Sequence, residues 1–163
     1  MVLIREYSPQ DAAQLEDCIV ELQSFEKSIE PNRADGLKIA PAYRKLLLTR
    51  CGQGQGKIFV AQMDGRVIAF ICILLRLDEG DLIEDTPEFA YITDLVVLPA
   101  YRGQGVGRML LQHAETYALR HEAAVLKVDV LAGNTIAREL YTRMGYHEHE
   151  IRLQKHLWSA GSS

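Results

Sequence analysis

The sequence has no two cysteines at the spacing of a zinc ligand set or a redox motif: Cys18, Cys51 and Cys72 stand far apart. An odd, scattered set does not make a disulfide framework, and a reducing, cytoplasmic compartment is the simplest reading. No apolar stretch approaches the roughly 20 residues that a membrane helix needs. The longest uncharged one, residues 67–75, is rich in β-branched side chains and bounded by Arg66 and Arg76, the pattern of a buried strand. The opening Met-Val-Leu-Ile-Arg-Glu is too short an apolar run for a signal peptide. Net charge is small and acidic, −4 at pH 7. That argues against general nucleic-acid binding, which needs Lys and Arg to neutralise phosphates. Low hydrophobicity joined to high net charge, the mark of disorder, is also missing.

What is present suits one domain. The 163 residues are 48% apolar and 25% charged, and a chain of this size buries about 70% of its unfolded surface without metal or disulfide staples. Residues 1–158 are expected to form a single domain, and the Ser-Ala-Gly-Ser-Ser of 159–163 a frayed tail.

Residues 2–7 read as a first strand. Ser8-Pro-Gln-Asp11 then signals a helix start, with Ser as N-cap, Pro at the first helical position and an acid two residues on. Leu15, Cys18, Ile19, Leu22 and Phe25 follow at helical spacing. A second helix is expected over 41–50, with Tyr43, Leu46 and Leu47 inward. Asp64-Gly65 between two apolar runs predicts a tight hairpin joining strands 57–62 and 66–76. Residues 78–88 read as an acidic loop and 89–98 as a strand ended by Pro99. A helix over 103–122 should turn Met109, Leu110, Ala114 and Tyr117 inward. A strand over 125–131, a helix over 134–144 and a last strand or two within 146–157 complete the chain. The expected fold class is α/β: a mixed, mostly antiparallel sheet flanked by helices.

The chemistry points to Leu95-Val-Val-Leu-Pro-Ala-Tyr-Arg102-Gly-Gln-Gly105-Val-Gly107-Arg108. A strand here runs into a glycine-rich turn that opens a helix. Such a turn aims unpaired backbone N–H groups and the positive end of the helix dipole at one point, which suits a phosphate. A dinucleotide fingerprint is excluded, because its third glycine would fall on Arg108. A P-loop is excluded, because Gly107 is followed by Arg and Met rather than Lys and Ser or Thr.

Arg102-x-x-Gly105-x-Gly107 after a Val-rich strand resembles the pyrophosphate signature of the GNAT superfamily of N-acetyltransferases. Asn134-x-x-Ala137-x-x-x-Tyr141 followed by Gly145-Tyr146 is similar to a second segment of that family, and residues 59–70 to its central hairpin. The resemblance implies acetyl-CoA as co-substrate, with no metal, and a GNAT-type acyl-CoA N-acyltransferase fold. It implies that the fourth strand splays from the fifth and that the backbone of Leu95, Val96 and Val97 meets the acetyl and pantetheine groups. Arg102 and the amides of Gly103, Gln104, Gly105, Val106, Gly107 and Arg108 would hold the pyrophosphate. Asn134 would bond the pantetheine arm and Ala137 would leave it space. Tyr141, four residues on and on the same helix face, would be the acid that protonates the departing thiolate. Ile136, Leu140 and Met144 are expected to form the adjacent, core-facing stripe.

The base is less plain. Uniform alternation puts Tyr91, Thr93 and Leu95 on the acceptor side of the fourth strand, and none is a carboxylate. Asp94 should face the other way, in a structural hydrogen-bonding role. A water chain ending on Glu84, Asp85 or Glu26 and a route with no dedicated base both stay open. The acceptor region the resemblance implies is acidic, with Asp78, Glu79, Asp81, Glu84, Asp85 and Glu88 in one loop and Glu21, Glu26 and Glu30 along the first helix. A field of one sign attracts cations, which favours an amine acceptor bound near Glu26, Glu84, Asp85 and Thr93. The expected activity is acetyl transfer to a primary amine, small or on a protein, by direct attack in a ternary complex. The other reading is a non-catalytic acetyl-CoA sensor or interaction module on the same fold. His147 and His149 read as an edge strand, Cys72 as inert core. Monomer and homodimer both remain open.

Overall fold

β3, Arg66–Leu75, is the strand around which the sheet is built, and every residue of it after Arg66 is buried. Helices cover both of its faces, and a strand buried twice reads as one apolar run rather than an alternation. β2, Lys57–Met63, folds back on it across Asp64 and Gly65. Both turn residues have positive φ, 50° and 78°, the twist that a two-residue hairpin requires. β1, Leu3–Glu6, pairs antiparallel with β2, and β4, Phe89–Val97, antiparallel with β3. β5, Val125–Val128, completes the order β1-β2-β3-β4-β5 and runs parallel to β4. The computed structural model describes residues 1–75 and 89–157; the whole acidic loop, 78–88, and the tail 159–163 lie outside the described residues.

α1, Ala12–Ile29, and α2, Gly36–Gln53, pack on one face, where Leu15, Ile19 and Leu47 meet Val60, Phe70 and Val96. α3, Val106–Arg120, and α4, Thr135–Arg143, cover the other, where Leu110, Leu111 and Ala114 meet Ile68, Ile71 and Ile92. α3 is the crossover that two parallel strands need. Ser8 caps a short 3-10 turn ahead of α1, and its N–H donates to Asp11. Arg5 donates twice to the same carboxylate, at 2.7 and 2.8 Å, and so ties β1 to the start of α1.

Some expectations need correction. α2 begins at Gly36 rather than at 41, because Asp35 caps it by accepting from the Leu37 N–H; Pro41 sits inside the helix. Leu46 and Met109 are exposed, since the buried stripes run through Leu47 and through Leu110, Leu111, Ala114 and Ala118. Ile136 is 66% exposed, while Leu140 and Met144 pack on the core as expected. Residues 146–157 form no strand. Alternation alone makes no strand without a ladder partner, and Ile151, Leu153 and Leu157 are left exposed.

Candidate active site

β4 does not keep one phase along its length. Cys72 of β3 pairs with Asp94 and Ile73 with Ile92, so Thr93 has no partner across the ladder. One extra residue swaps the faces of everything that follows. Ala90 and Ile92 lie in the core under α3, whereas Val96 lies in the core under α1 and α2. Asp94 shares the Val96 side, and Leu95 packs toward α3. The bulge carries Asp94 onto the α1–α2 face, where uniform alternation had put Leu95; the two residues still face opposite ways.

Asp94 is 6% exposed. The Tyr43 hydroxyl, from α2, donates to its Oδ1 at 2.7 Å, and Thr93 Oγ1 donates to its Oδ2 at 2.6 Å. Burial pushes its pKa above the ordinary carboxylate value, although these two bonds and the charge of Arg50 pull the other way. Tyr43 is pushed up by its own burial and by the Asp94 charge, so it stays a donor. Glu26 of α1 lines the same cavity. Its pKa is raised by burial first, then by Asp94, against the pull of Arg33 at 3.6 Å. Two carboxylates raised by burial thus face one cavity, an arrangement common to functional sites and to buried polar networks.

The sheet opens beside them. β4 and β5 pair from Phe89 with Val125 to Ile92 with Val128, and no further. The Leu98 N–H donates to Ile68 O of β3 at 2.9 Å. By alternation Val96 also bonds toward β3, and the backbone groups of Leu95 and Val97 point into the opened edge. The Val97 carbonyl is already engaged: Arg102 Nε donates to it at 2.9 Å. The same guanidinium bonds Glu21 of α1 at 2.8 Å and lies over the Phe25 ring. Arg102 therefore clamps the end of β4 to α1, where a contact with the pyrophosphate was expected of it. The opened edge gives onto a cavity of about 2900 Å³ that also holds Glu26, Thr93, Asp94, Asn134, Ala137 and Tyr141 on its wall. It is a long groove rather than a closed pocket, since it runs on along residues 146–156.

The glycine turn closes one end of this region. Gly103 and Gly105 have φ of 72° and 80°, where any other residue is strained. Among the described residues no acceptor within the chain takes the amides of Gly103, Gln104 or Gly105. The first-turn amides of α3, from Val106, Gly107 and Arg108, have no carbonyl four residues back inside the helix. Six consecutive amides, from Gly103 to Arg108, are thus left for an outside acceptor at a helix N-terminus, a setting that suits an anion. Gly107 serves packing as well: a Cβ there would come within 3.3 Å of Leu140 in α4.

α4 supplies the remaining wall. Asn134 caps it, its Oδ1 accepting from the Ala137 N–H at 3.1 Å, which leaves the amide NH2 for another acceptor. Tyr141 is buried, and burial with help from the Asp94 charge pushes its hydroxyl up to about 12. Among the described residues nothing bonds that hydroxyl. The structure thus gathers Leu95, Asn134, Ala137, Tyr141, Thr93 and Glu26 around one groove. Glu84 and Asp85 lie outside the described residues. Among the described residues no group of three or more His, Cys, Asp or Glu is placed to hold a metal, and no helix is long and apolar enough to cross a membrane. Sequence reasoning missed the Asp94–Tyr43 pair. The available signal was Thr93-Asp94 itself, two polar residues in a row that break the period of an otherwise apolar strand.

Comparison with known proteins agrees with this geometry. The model of the Acetyltransferase (GNAT) family matches residues 19–146. A thialysine N-epsilon-acetyltransferase from Bos taurus is 30% identical over 154 residues, 88% of this chain and 83% of its own. The BH1408 protein of Bacillus halodurans, solved as a tetramutant, superposes with a TM-score of 0.82 at 20% identity, over 95% of this chain and 99% of that one. The aminoglycoside N-acetyltransferase AAC(6')-Iy, solved in complex with CoA, superposes with a TM-score of 0.71 at 20% identity, over 96% of this chain and 94% of that one.

Proposed function

Because the chain belongs to the GNAT family of acetyltransferases, we propose that it transfers the acetyl group of acetyl-CoA to a primary amine by direct attack in a ternary complex. The observation that carries this reading is the unpaired end of β4, which lines one groove with the unbonded hydroxyl of Tyr141 and runs on in the chain to six free amides. The residues fit the donor. Gly103–Arg108 would hold the pyrophosphate on backbone amides, the Leu95 and Val97 edge and the Asn134 amide would take the polar groups of the pantetheine arm, and Ala137 leaves room for it. The bovine relative and AAC(6')-Iy are both named for transfer to nitrogen, which supports an amine acceptor.

Acetyl-CoA brings an activated thioester; the protein must supply orientation and two proton positions. Asp94 takes the proton of the incoming ammonium, whose solution pKa is near 10. Its raised pKa narrows that gap, and Tyr43 and Thr93 hold both of its oxygens in place. Tyr141 is protonated at neutral pH, as an ordinary tyrosine is, and burial raises it further, to about 12. It can therefore give that proton to the departing sulfur. A sensor without turnover would bind the donor equally well but has no use for a buried carboxylate whose charge burial disfavours. Thiol release from acetyl-CoA across a panel of amines and peptides tests the reading, and donor binding with no release for any of them would favour the sensor.

Replacing Gly105 with Val should weaken acetyl-CoA binding roughly tenfold or more. No protein atom would obstruct the new side chain. The harm comes from the positive φ and from a branched group standing where the pyrophosphate approaches the amides. Calorimetry on the folded variant measures it, with Gly52→Ala as a control at an unobstructed position of ordinary φ. Wild-type affinity in Gly105→Val would dismiss this role for the amides.

The acceptor is expected to be cationic before it reacts. Glu26 and Asp94 line the groove, and the sequence has six acids between Asp78 and Glu88, outside the described residues. Attraction of this range is screened over about 8 Å at physiological salt. So kcat/KM for a good amine should fall as ionic strength rises, with kcat less affected. Glu26→Gln should raise KM and flatten the salt dependence. A kcat/KM indifferent to salt would remove steering from the account.

A further inference from the structure

Cys51 and Cys72 take no part in the reaction proposed above, yet their Sγ atoms lie 3.7 Å apart. Cys72 sits in the middle of β3, fully buried, paired across the sheet with Ile58 on one side and Asp94 on the other. Cys51 is in the last turn of α2 and only partly buried, the least buried of the three cysteines. Tyr43, Leu47 and Cys51 follow at four-residue spacing, so they form one stripe on α2 facing the sheet. The helix that carries Cys51 is thus the helix whose Tyr43 holds Asp94.

We infer that Cys51 and Cys72 are a dithiol that a peroxide converts to a disulfide, and that the bridge slows acetyl transfer by dragging α2 and Tyr43 out of register with Asp94. The effect on transfer rests on the acetyltransferase reading; the bridge itself does not. The sulfurs must close from 3.7 Å to about 2.05 Å. β3 is fixed on both edges, so whatever movement rotation of the two side chains does not supply falls on the end of α2. That end cannot yield on its own. The Gly56 N–H donates to Cys51 O at 2.9 Å, and a Cβ at Gly56 would stand 3.2 Å from Cys51 Cα, so the chain leaving α2 is packed against the Cys51 backbone.

The chemistry balances. The Cys51 thiolate attacks one oxygen of hydrogen peroxide, the O–O bond breaks, and the departing hydroxide takes a proton and leaves as water. Cys51 is then a sulfenic acid. The Cys72 sulfur attacks the Cys51 sulfur, the S–O bond breaks, and a second water leaves with the Cys72 proton. Two electrons pass from the sulfur pair to the peroxide. Cys51 is the first to react because it is reachable and because the Cys72 thiol, bonded to it, holds it below the usual thiol range. Burial and the same contact push Cys72 up. Cys18, fully buried with no sulfur partner, is pushed up to about 12 and provides an internal comparison.

The test treats the full chain with a limited excess of hydrogen peroxide, alkylates remaining thiols after unfolding, and maps the peptides by mass. The Cys51 and Cys72 peptides should be linked and Cys18 alkylated. Transfer to the best amine should fall roughly 10-fold to 100-fold, the scale of a catalytic group displaced by about 1 Å, and dithiothreitol should restore it. Cys51→Ser and Cys72→Ala, each shown folded by circular dichroism, should keep their activity through the same treatment. Unlinked peptides in the oxidised wild type overturn the inference. So does a linked protein that transfers as fast as the reduced one, or an equal loss in both variants. Linkage is read without substrate, so a reduced protein that acetylates no amine counts against the acetyltransferase reading and leaves the dithiol result standing.

Discussion

Tyr141→Phe is expected to lower kcat on the order of 10²-fold while leaving affinity for acetyl-CoA within about twofold. The ring and the hydroxyl have separable duties. The ring is buried beside the Tyr146 ring, with centroids 5.5 Å apart, and belongs to the core under α3. Phenylalanine keeps all of that. The hydroxyl bonds nothing among the described residues, so its removal orphans no partner and should leave the melting temperature unchanged. What goes, on the proposed mechanism, is the proton for the leaving sulfur. With its pKa raised to about 12 the hydroxyl stays protonated across the usual assay range. The wild-type rate should therefore climb toward alkaline pH, as more of the amine becomes neutral, with no downturn from Tyr141 below about pH 10. Steady-state kinetics, calorimetry and a thermal melt on the one variant separate the cases. Parallel losses of affinity and turnover would assign Tyr141 to packing; unchanged turnover would take it out of the mechanism.

The glycine turn and the α4 segment were legible because their chemistry is local. Positive φ at Gly103 and Gly105, the cap at Asn134 and the four-residue step from Ala137 to Tyr141 are set by neighbours in the chain. The Asp64-Gly65 hairpin and the Ser8 capping box are local in the same sense. The Asp94 site was not legible, because its face is decided by a bulge. Whether Thr93 is in or out of register depends on how β3 pairs with β4, and nothing in the period of residues 89–97 records that. The contacts of Arg102 were not legible for a similar reason: its partners, Glu21 and Phe25, are on α1, some 80 residues earlier in the chain. Residues 146–157 show the opposite failure, in which polar–apolar alternation suggests strands that no partner completes. Cys51 and Cys72 are 21 residues apart and meet only once α2 lies across β3.

Asp94→Asn is the substitution that most sharply divides a catalytic carboxylate from a structural one. Turnover should fall by something like 10²-fold to 10³-fold, since the amide cannot take the ammonium proton. Stability should move the other way. Burial is the leading influence on Asp94, and it outweighs the bonds from Tyr43 and Thr93, so the folded pKa lies above the unfolded one. A carboxyl raised in this way favours the folded state when protonated. Its contribution is fully present below the unfolded value of about 4 and is lost as pH rises through the folded value. At pH 7 the wild type bears the cost of a buried charge and Asn does not. The Asn carbonyl can still accept from Tyr43, and its NH2 can donate to Thr93 Oγ1. The variant should therefore melt no lower than wild type at pH 7, and any advantage should shrink as pH falls toward the ordinary carboxylate range. Melting curves at several pH values alongside kcat check this. A purely structural Asp94 predicts the reverse pairing: a clear drop in melting temperature at pH 7, with kcat of the remaining folded enzyme little changed. That result would return the base to Glu26, to the loop acids or to solvent.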